Sequence, residues 1–248
     1  GDLIFLYEEE PGSQVEVDEA TINFDDSKYF ARLGRQYVPF GVFVSNFISD
    51  PLVLELGETQ ATALLGGTRI GPAELSLFAF NGDADKAGDE DQVDDFGASL
   101  MVTAGEMLEF GASYMSDLAE SGAELTLDAV TVDERIYTER SAGWSAYFIA
   151  TFEPVVVSAE VLAAADKLDD LGVDLDEPLA WNAEVALAVD ESVTLALRIE
   201  GSDEISDAPE IQYGACLAKG IGDNLFLAFE YLHGEFDEAI NAPLDTRD

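Results

Sequence analysis

The sequence has a single cysteine, Cys216, and a single histidine, His233, which excludes a disulfide framework, a thiolate cluster and most zinc sites. The same scarcity removes the base on which Ser–His–Asp and Cys–His catalysis depend. No spaced pair of general acid and base stands out, nor any glycine loop that would cradle phosphate. The chain therefore reads as a non-enzyme with no cofactor. Basic residues are scarce too: 11 Lys and Arg stand against 52 Asp and Glu, a formal charge of −41. Such a polyanion repels phosphate backbones, which excludes nucleic acid and suits cations or a salt-exposed cell boundary. No apolar run approaches the roughly 18 residues of a transmembrane helix. The opening "GDLIFLYEEE" has neither a charged n-region nor an apolar h-region, so no signal peptide is read there. Strong helical periodicity is also missing, and "EVLAAADKLDDLG" is the one ambiguous stretch.

What is present is alternation. Hydrophobic residues make up 48% of the chain, enough to bury a large surface, and they recur with period two. Trp181, Ala183, Val185, Leu187 and Val189 share one parity, opposite Asn182, Glu184, Ala186 and Ala188. Val193, Leu195, Leu197 and Ile199 do the same, as do Leu225, Leu227, Phe229 and Tyr231. About thirteen such strands are legible, most near the 9–11 residues that cross a bilayer at a tilt. Short turns such as "IGP" (70–72) and "AGE" (104–106) alternate strictly with longer, mostly acidic loops. An up-and-down barrel predicts that rhythm, whereas a Greek-key sandwich does not.

Fixing the short turns at one end gives every strand a direction. Phe96, Tyr114, Trp144, Trp181, Tyr213 and Tyr231 then fall on the apolar parity at the long-loop end, as an interfacial aromatic girdle would. A soluble lipocalin-like barrel also has one apolar face, but it has eight strands and a Lys/Glu-coated surface. The expectation is therefore an all-β fold: a transmembrane up-and-down antiparallel β-barrel of about 14–16 strands, with short periplasmic turns and long acidic external loops. One barrel domain is expected over residues 1–248, incomplete at one or both ends because such strand numbers are usually even.

The stretch "FARLGRQYVPFGVFVSNFISDPLVLELGETQATALLGG" resembles the LbtU-type family of outer-membrane siderophore porins, and "VDEATINF" looks like the strand before it. The pattern Gly34-Arg35-Gln36, then Pro39-Phe40-Gly41, is similar more loosely to other Gram-negative porins. The similarity covers about residues 15 to 70. It implies an outer-membrane porin, and metal-siderophore cargo comes from the resemblance alone. The terminal "FDEAINAPLDTRD" departs from the aromatic-ended last strand of such barrels.

Residues 37–58 occupy a long-loop slot yet are too apolar to stand in water, so the segment is expected to fold into the lumen. It would bring Pro39, Phe40, Gly41, Phe43, Phe47 and Asp50 to a constriction. Parity turns Arg32, Glu109, Glu160, Glu184, Arg198, Glu200 and Glu230 toward the lumen as pore-lining charges whose acidic excess favours cations. The plainer alternative is that these charges pair with one another to fill the interior. Cys216 reads as a small lumen filler and His233 as a rim residue. Asn81, Asp83 and Asp85 open like a calcium loop, but Lys86 stands where glycine is required and Gln92 where the chelating Glu belongs. Expected partners are the bilayer and lipopolysaccharide, small solutes or cations, and a second copy or an extracellular protein. A scaffolding barrel that holds or sheathes a protein partner is the alternative function.

Overall fold

The structure, a computed structural model, describes residues 1–6, 16–82, 84–86, 93–121, 135–137, 141–167, 177–205, 208–222 and 225–236. Its strands are β1 (Asp2–Leu6), β2 (Glu16–Asp25), β3 (Tyr29–Tyr37), β4 (Gln60–Ile70), β5 (Ala73–Asn81), β6 (Ala84–Lys86), β7 (Asp95–Ala104) and β8 (Leu108–Met115). They continue as β9 (Arg135–Tyr137), β10 (Gly143–Phe152), β11 (Val155–Ala164), β12 (Leu179–Ala188), β13 (Val193–Asp203), β14 (Ile211–Ile221) and β15 (Leu225–Glu235). Among the described residues, thirteen strands form one sheet in chain order, while β6 and β9 make a separate parallel pair. Every neighbouring pair in the large sheet is antiparallel, from β1–β2 through β14–β15. β1 and β15 are the ends of that order, so an odd count leaves them running the same way.

Within the large sheet, short connections follow β2, β4, β7, β10, β12 and β14, and long ones follow β1, β3, β5, β8, β11 and β13, as the sequence rhythm predicts. Gly71 and Gly105 turn two of the hairpins at φ of 59° and 71°, a region that side-chain-bearing residues enter at a cost. Gly34, in the middle of β3, has another reason. At φ +135° a Cβ there would stand 2.0 Å from the Ala20 carbonyl oxygen, so only glycine lets β3 close on β2. The ambiguous stretch 160–172 begins as strand, ending β11 at Ala164.

The two faces of the sheet differ as the alternation requires. Leu64, Leu77, Leu197 and Phe229 stand 58, 61, 56 and 71% exposed along the outer face. An apolar belt of that extent is stable against hydrocarbon and not against water. Phe96, Tyr114, Trp144, Tyr213 and Tyr231 share that face at the long-loop end and are exposed, whereas Trp181 is half-buried. Trp144 lies directly opposite Tyr114, whose ring centroid is 6.3 Å from that of Phe96. His233 packs on the Tyr213 ring at 5.2 Å on the same face.

The inner face carries small and polar residues, and its apolar core gathers at the long-loop end. There Val38, Phe40, Leu52, Val53 and Leu56 bury against Leu65, Phe78, Phe80, Met115, Leu118 and Leu162. The core is thus built between the wall and the segment that joins β3 to β4. Substituting Leu197 by Arg at the middle of β13 should destabilise the protein by about 2–4 kcal/mol in a bilayer. Denaturant titration in phospholipid vesicles measures it, and a neutral effect there would contradict a lipid-facing outer wall.

Candidate functional site

The segment 38–59 has one helical turn, α1 (Leu52–Gly57), and is otherwise irregular. Irregular backbone leaves N–H groups without ladder partners, and buried donors need acceptors. The inner wall supplies them as carboxylates. Glu160 on β11 accepts from the amides of Val42 and Phe43 at 2.9 and 2.8 Å. Glu184 on β12 accepts from the Asn46 amide and side chain and from the Ser45 hydroxyl, at 2.9, 2.7 and 2.8 Å. Glu230 on β15 accepts from the amides of Ile48 and Ser49 at 2.6 and 3.0 Å, and from the Ser49 hydroxyl. Glu200 on β13 accepts from the Leu52 amide at 3.0 Å, at the start of α1, where negative charge suits the helix dipole. The segment therefore crosses from β11 to β15 and doubles back, laying α1 over β11, β12 and β13.

Arg198 on β13 fills the bight of that course. Its guanidinium donates to the Ser45 hydroxyl and the Ser49 carbonyl at 3.1 and 3.0 Å, and pairs with Glu200 at 2.9 Å. The Phe47 ring lies 4.4 Å from it in a cation–π contact. Both Arg198 and Glu200 side chains are fully buried, and Gln212 donates to Glu200 at 2.8 Å. These bonds offset the cost of burying the two charges, although the Arg198 Nε has no partner among the described residues.

Of the wall charges expected at the lumen, Glu160, Glu184, Arg198, Glu200 and Glu230 thus converge on one segment. They do not pair mainly with one another. Glu109 sits apart, accepting from the Tyr147 hydroxyl at 3.3 Å. Arg32 is exposed on β3. In the segment itself Phe40 is buried, Pro39, Gly41, Phe43 and Phe47 are half-buried, and Asp50 is exposed. Gly41, at φ +83°, is packed so closely that a Cβ would stand 2.4 Å from the Phe43 ring. Cys216 is buried on the inner face beside Ala196. Asn81 ends β5 exposed, whereas Asp83 and the Asp85 side chain lie outside the described residues. The sequence gives no sign of Ser113, Ser45, Asn46 and Gln212, since nothing in a serine or amide marks it beforehand as a partner, whether 12 residues away, as Gln212 is from Glu200, or 139, as Ser45 is from Glu184.

Open space remains on both sides of the segment. One cavity of about 560 Å³ runs from Asp25, Arg69 and Glu74 near the short turns to Pro39, Gly41 and Val42 beneath the segment. A second, also about 560 Å³, lies between Phe47, Ile48, Thr194, Ala218 and Phe226. The inner-face serines of β5, β7, β8 and β10 line up in register, Ser76 beside Ser99, Ser99 beside Ser113 and Ser113 beside Ser145, and the first three of them line the first cavity. Ser113 also accepts from the Gly41 amide at 3.0 Å.

A curled antiparallel wall, apolar outside and polar inside, with a strap docked on its inner surface, is the architecture of an outer-membrane-type β-barrel. Known proteins agree on that class. The OmpF structure of Salmonella typhi in complex with daunomycin overlays with a TM-score of 0.57 at 7% identity, over 94% of this chain and 88% of that one. The structure of outer-membrane-expressed OmpT of Vibrio cholerae overlays with a TM-score of 0.54 at 11% identity, over 89% and 71%. At these identities the likeness shows the fold. No family model matches the chain. Among curated proteins, the UPF0422 protein of Coxiella burnetii is 29% identical over 169 residues, covering 64% of this chain and 36% of that protein. The chain thus spans little more than a third of that relative's length.

Replacing Glu184 by Ala leaves three donors of the segment without their acceptor, at about 1–3 kcal/mol for each that stays buried. Amide exchange should rise across residues 42–49 while β12 and β13 stay protected; unchanged exchange at Asn46 would count against the docking. Burial pushes the Glu55 and Glu58 carboxyls above their usual 4.5, with Glu200 and Asp50 adding to the shift at Glu55. An acid whose folded pKa is raised opposes folding when ionised, so its penalty is absent below pH 4.5 and grows as pH climbs through the folded value. The Glu55→Gln/Glu58→Gln double variant should therefore melt higher than wild type at pH 7 and match it near pH 4, as measured by thermal scans in detergent.

Proposed function

We propose that the protein is a porin-type channel that passes small solutes by diffusion across the outer membrane, with residues 37–58 setting the bore. The observation that supports this best is the strap itself: a polar-walled interior is crossed by one segment, with cavities of about 560 Å³ left on either side. In this reading Pro39, Phe40, Gly41, Phe43, Phe47 and Asp50 form the constriction. Arg32, Glu109, Glu160, Glu184, Arg198, Glu200 and Glu230 line or brace the passage. Phe96, Tyr114, Trp144, Trp181, Tyr213 and Tyr231 hold the interface with the bilayer and lipopolysaccharide. The acidic charge of the chain draws cations to its mouth, and the cargo suggested by the Gly34–Gly41 pattern is a metal siderophore. Selection works by size, strap position and wall charge, without covalent chemistry. Assembly as a homo-oligomer belongs to the same proposal.

The scaffold reading has one observation in its favour, the apolar core that fills the long-loop end of the interior. Single-channel recording in planar bilayers separates the two. A channel gives discrete steps, and the Glu160→Gln/Glu184→Gln/Glu230→Gln triple variant, which loosens the strap, should raise step size by about twofold. A wild type and triple variant that are both silent would favour the scaffold.

A further inference from the structure

The wall glutamates that make the interior look cation-selective are engaged by the strap, which changes the electrostatics of the space that remains open. The cavity between β2 and β10 is lined by two cations, Arg32 and Arg69, and two anions, Asp25 and Glu74. Three of these form a closed set. Arg69 donates to both Asp25 oxygens at 2.9 and 3.1 Å and to Glu74 at 2.8 Å, with the Phe30 ring 4.6 Å from its guanidinium. Arg32 is the charge left over. It is exposed on the inner face and, among the described residues, has no hydrogen-bond or ion-pair partner.

We propose that Arg32 and this cavity form a subsite for a small hydroxylated organic anion, a carboxylate or phosphate of hexose size. This deepens the channel reading and rests on it. The guanidinium fork is suited to bidentate capture of a carboxylate or phosphate. Ser76 and Ser99, bonded to each other at 2.6 Å in the same lining, keep hydrogen-bonding capacity for a ligand's hydroxyls. Leu65 and Met101 supply apolar wall for its carbon frame. A volume of about 560 Å³ accommodates one such molecule with water. The acidic exterior does not reach this point with full strength, because salt screens exposed charges beyond about 10 Å at 0.1 M.

Liposome swelling with glucose, gluconate and glucose 6-phosphate tests the site, comparing wild type with Arg32→Gln and Arg32→Lys. Arg32→Gln should lower the entry of an anion relative to that of glucose, measured in the same vesicles, at least threefold, and Arg32→Lys should recover part of the ratio. The anion whose ratio falls identifies the head group as carboxylate or phosphate. An unchanged ratio for both anions in Arg32→Gln overturns the proposal. If wild type admits no glucose, the channel reading fails, and calorimetric titration of gluconate and glucose 6-phosphate into the detergent-solubilised protein then decides the site alone. Binding by wild type that Arg32→Gln abolishes upholds it, and no binding by wild type overturns it.

Discussion

Everything inside this wall depends on finding acceptors for a strand of irregular backbone. Six amides between Val42 and Leu52 have no ladder partner, and that of Leu52 is buried outright. Four glutamates, each on a different strand, meet that demand, and Arg198 balances part of their charge while gripping the segment from its concave side. The polar lining of the interior is therefore structural in its larger part. What the strap leaves unengaged is the remainder: serines, the Arg69 triad, Tyr147 with Glu109, and Arg32.

The same division explains why an acidic chain carries so apolar a stretch as "GRQYVPFGVFVSNFISDPLVLELGE". The segment has two sides. Its amides turn toward the glutamates, while Val38, Phe40, Leu52, Val53 and Leu56 turn toward a core whose other half is Phe78, Phe80, Met115 and Leu162. Either interaction alone would leave a liability, a greasy flap or a row of stranded donors. Together they fix one position.

The fold was legible because a barrel wall is written in local code. Alternation, the short-turn and long-loop rhythm and the shared end of Phe96, Tyr114, Trp144, Tyr213 and Tyr231 each depend on neighbours in sequence. The thirteen strands of the large sheet fall where that reading puts them, with ends that differ by a few residues, although the sheet's two ends remain its edges instead of pairing. Parity also indicated which glutamates face inward. It did not indicate what they bind, because Glu160 meets Val42 across 118 positions and Glu230 meets Ile48 across 182. Arg198 illustrates the limit best: its periodicity marked it as a pore charge, and the fold uses it as a clasp.

That long reach has a kinetic side. The strap leaves the synthetic machinery early, before β11, β12, β13 and β15, which hold everything that secures it. Contacts of such separation are slow to form because a long loop must close first, and the strap cannot be secured before those strands are in place. Until then an unsatisfied, greasy ribbon hangs from a half-built cylinder, and the order of assembly is imposed by where four carboxylates happen to be encoded.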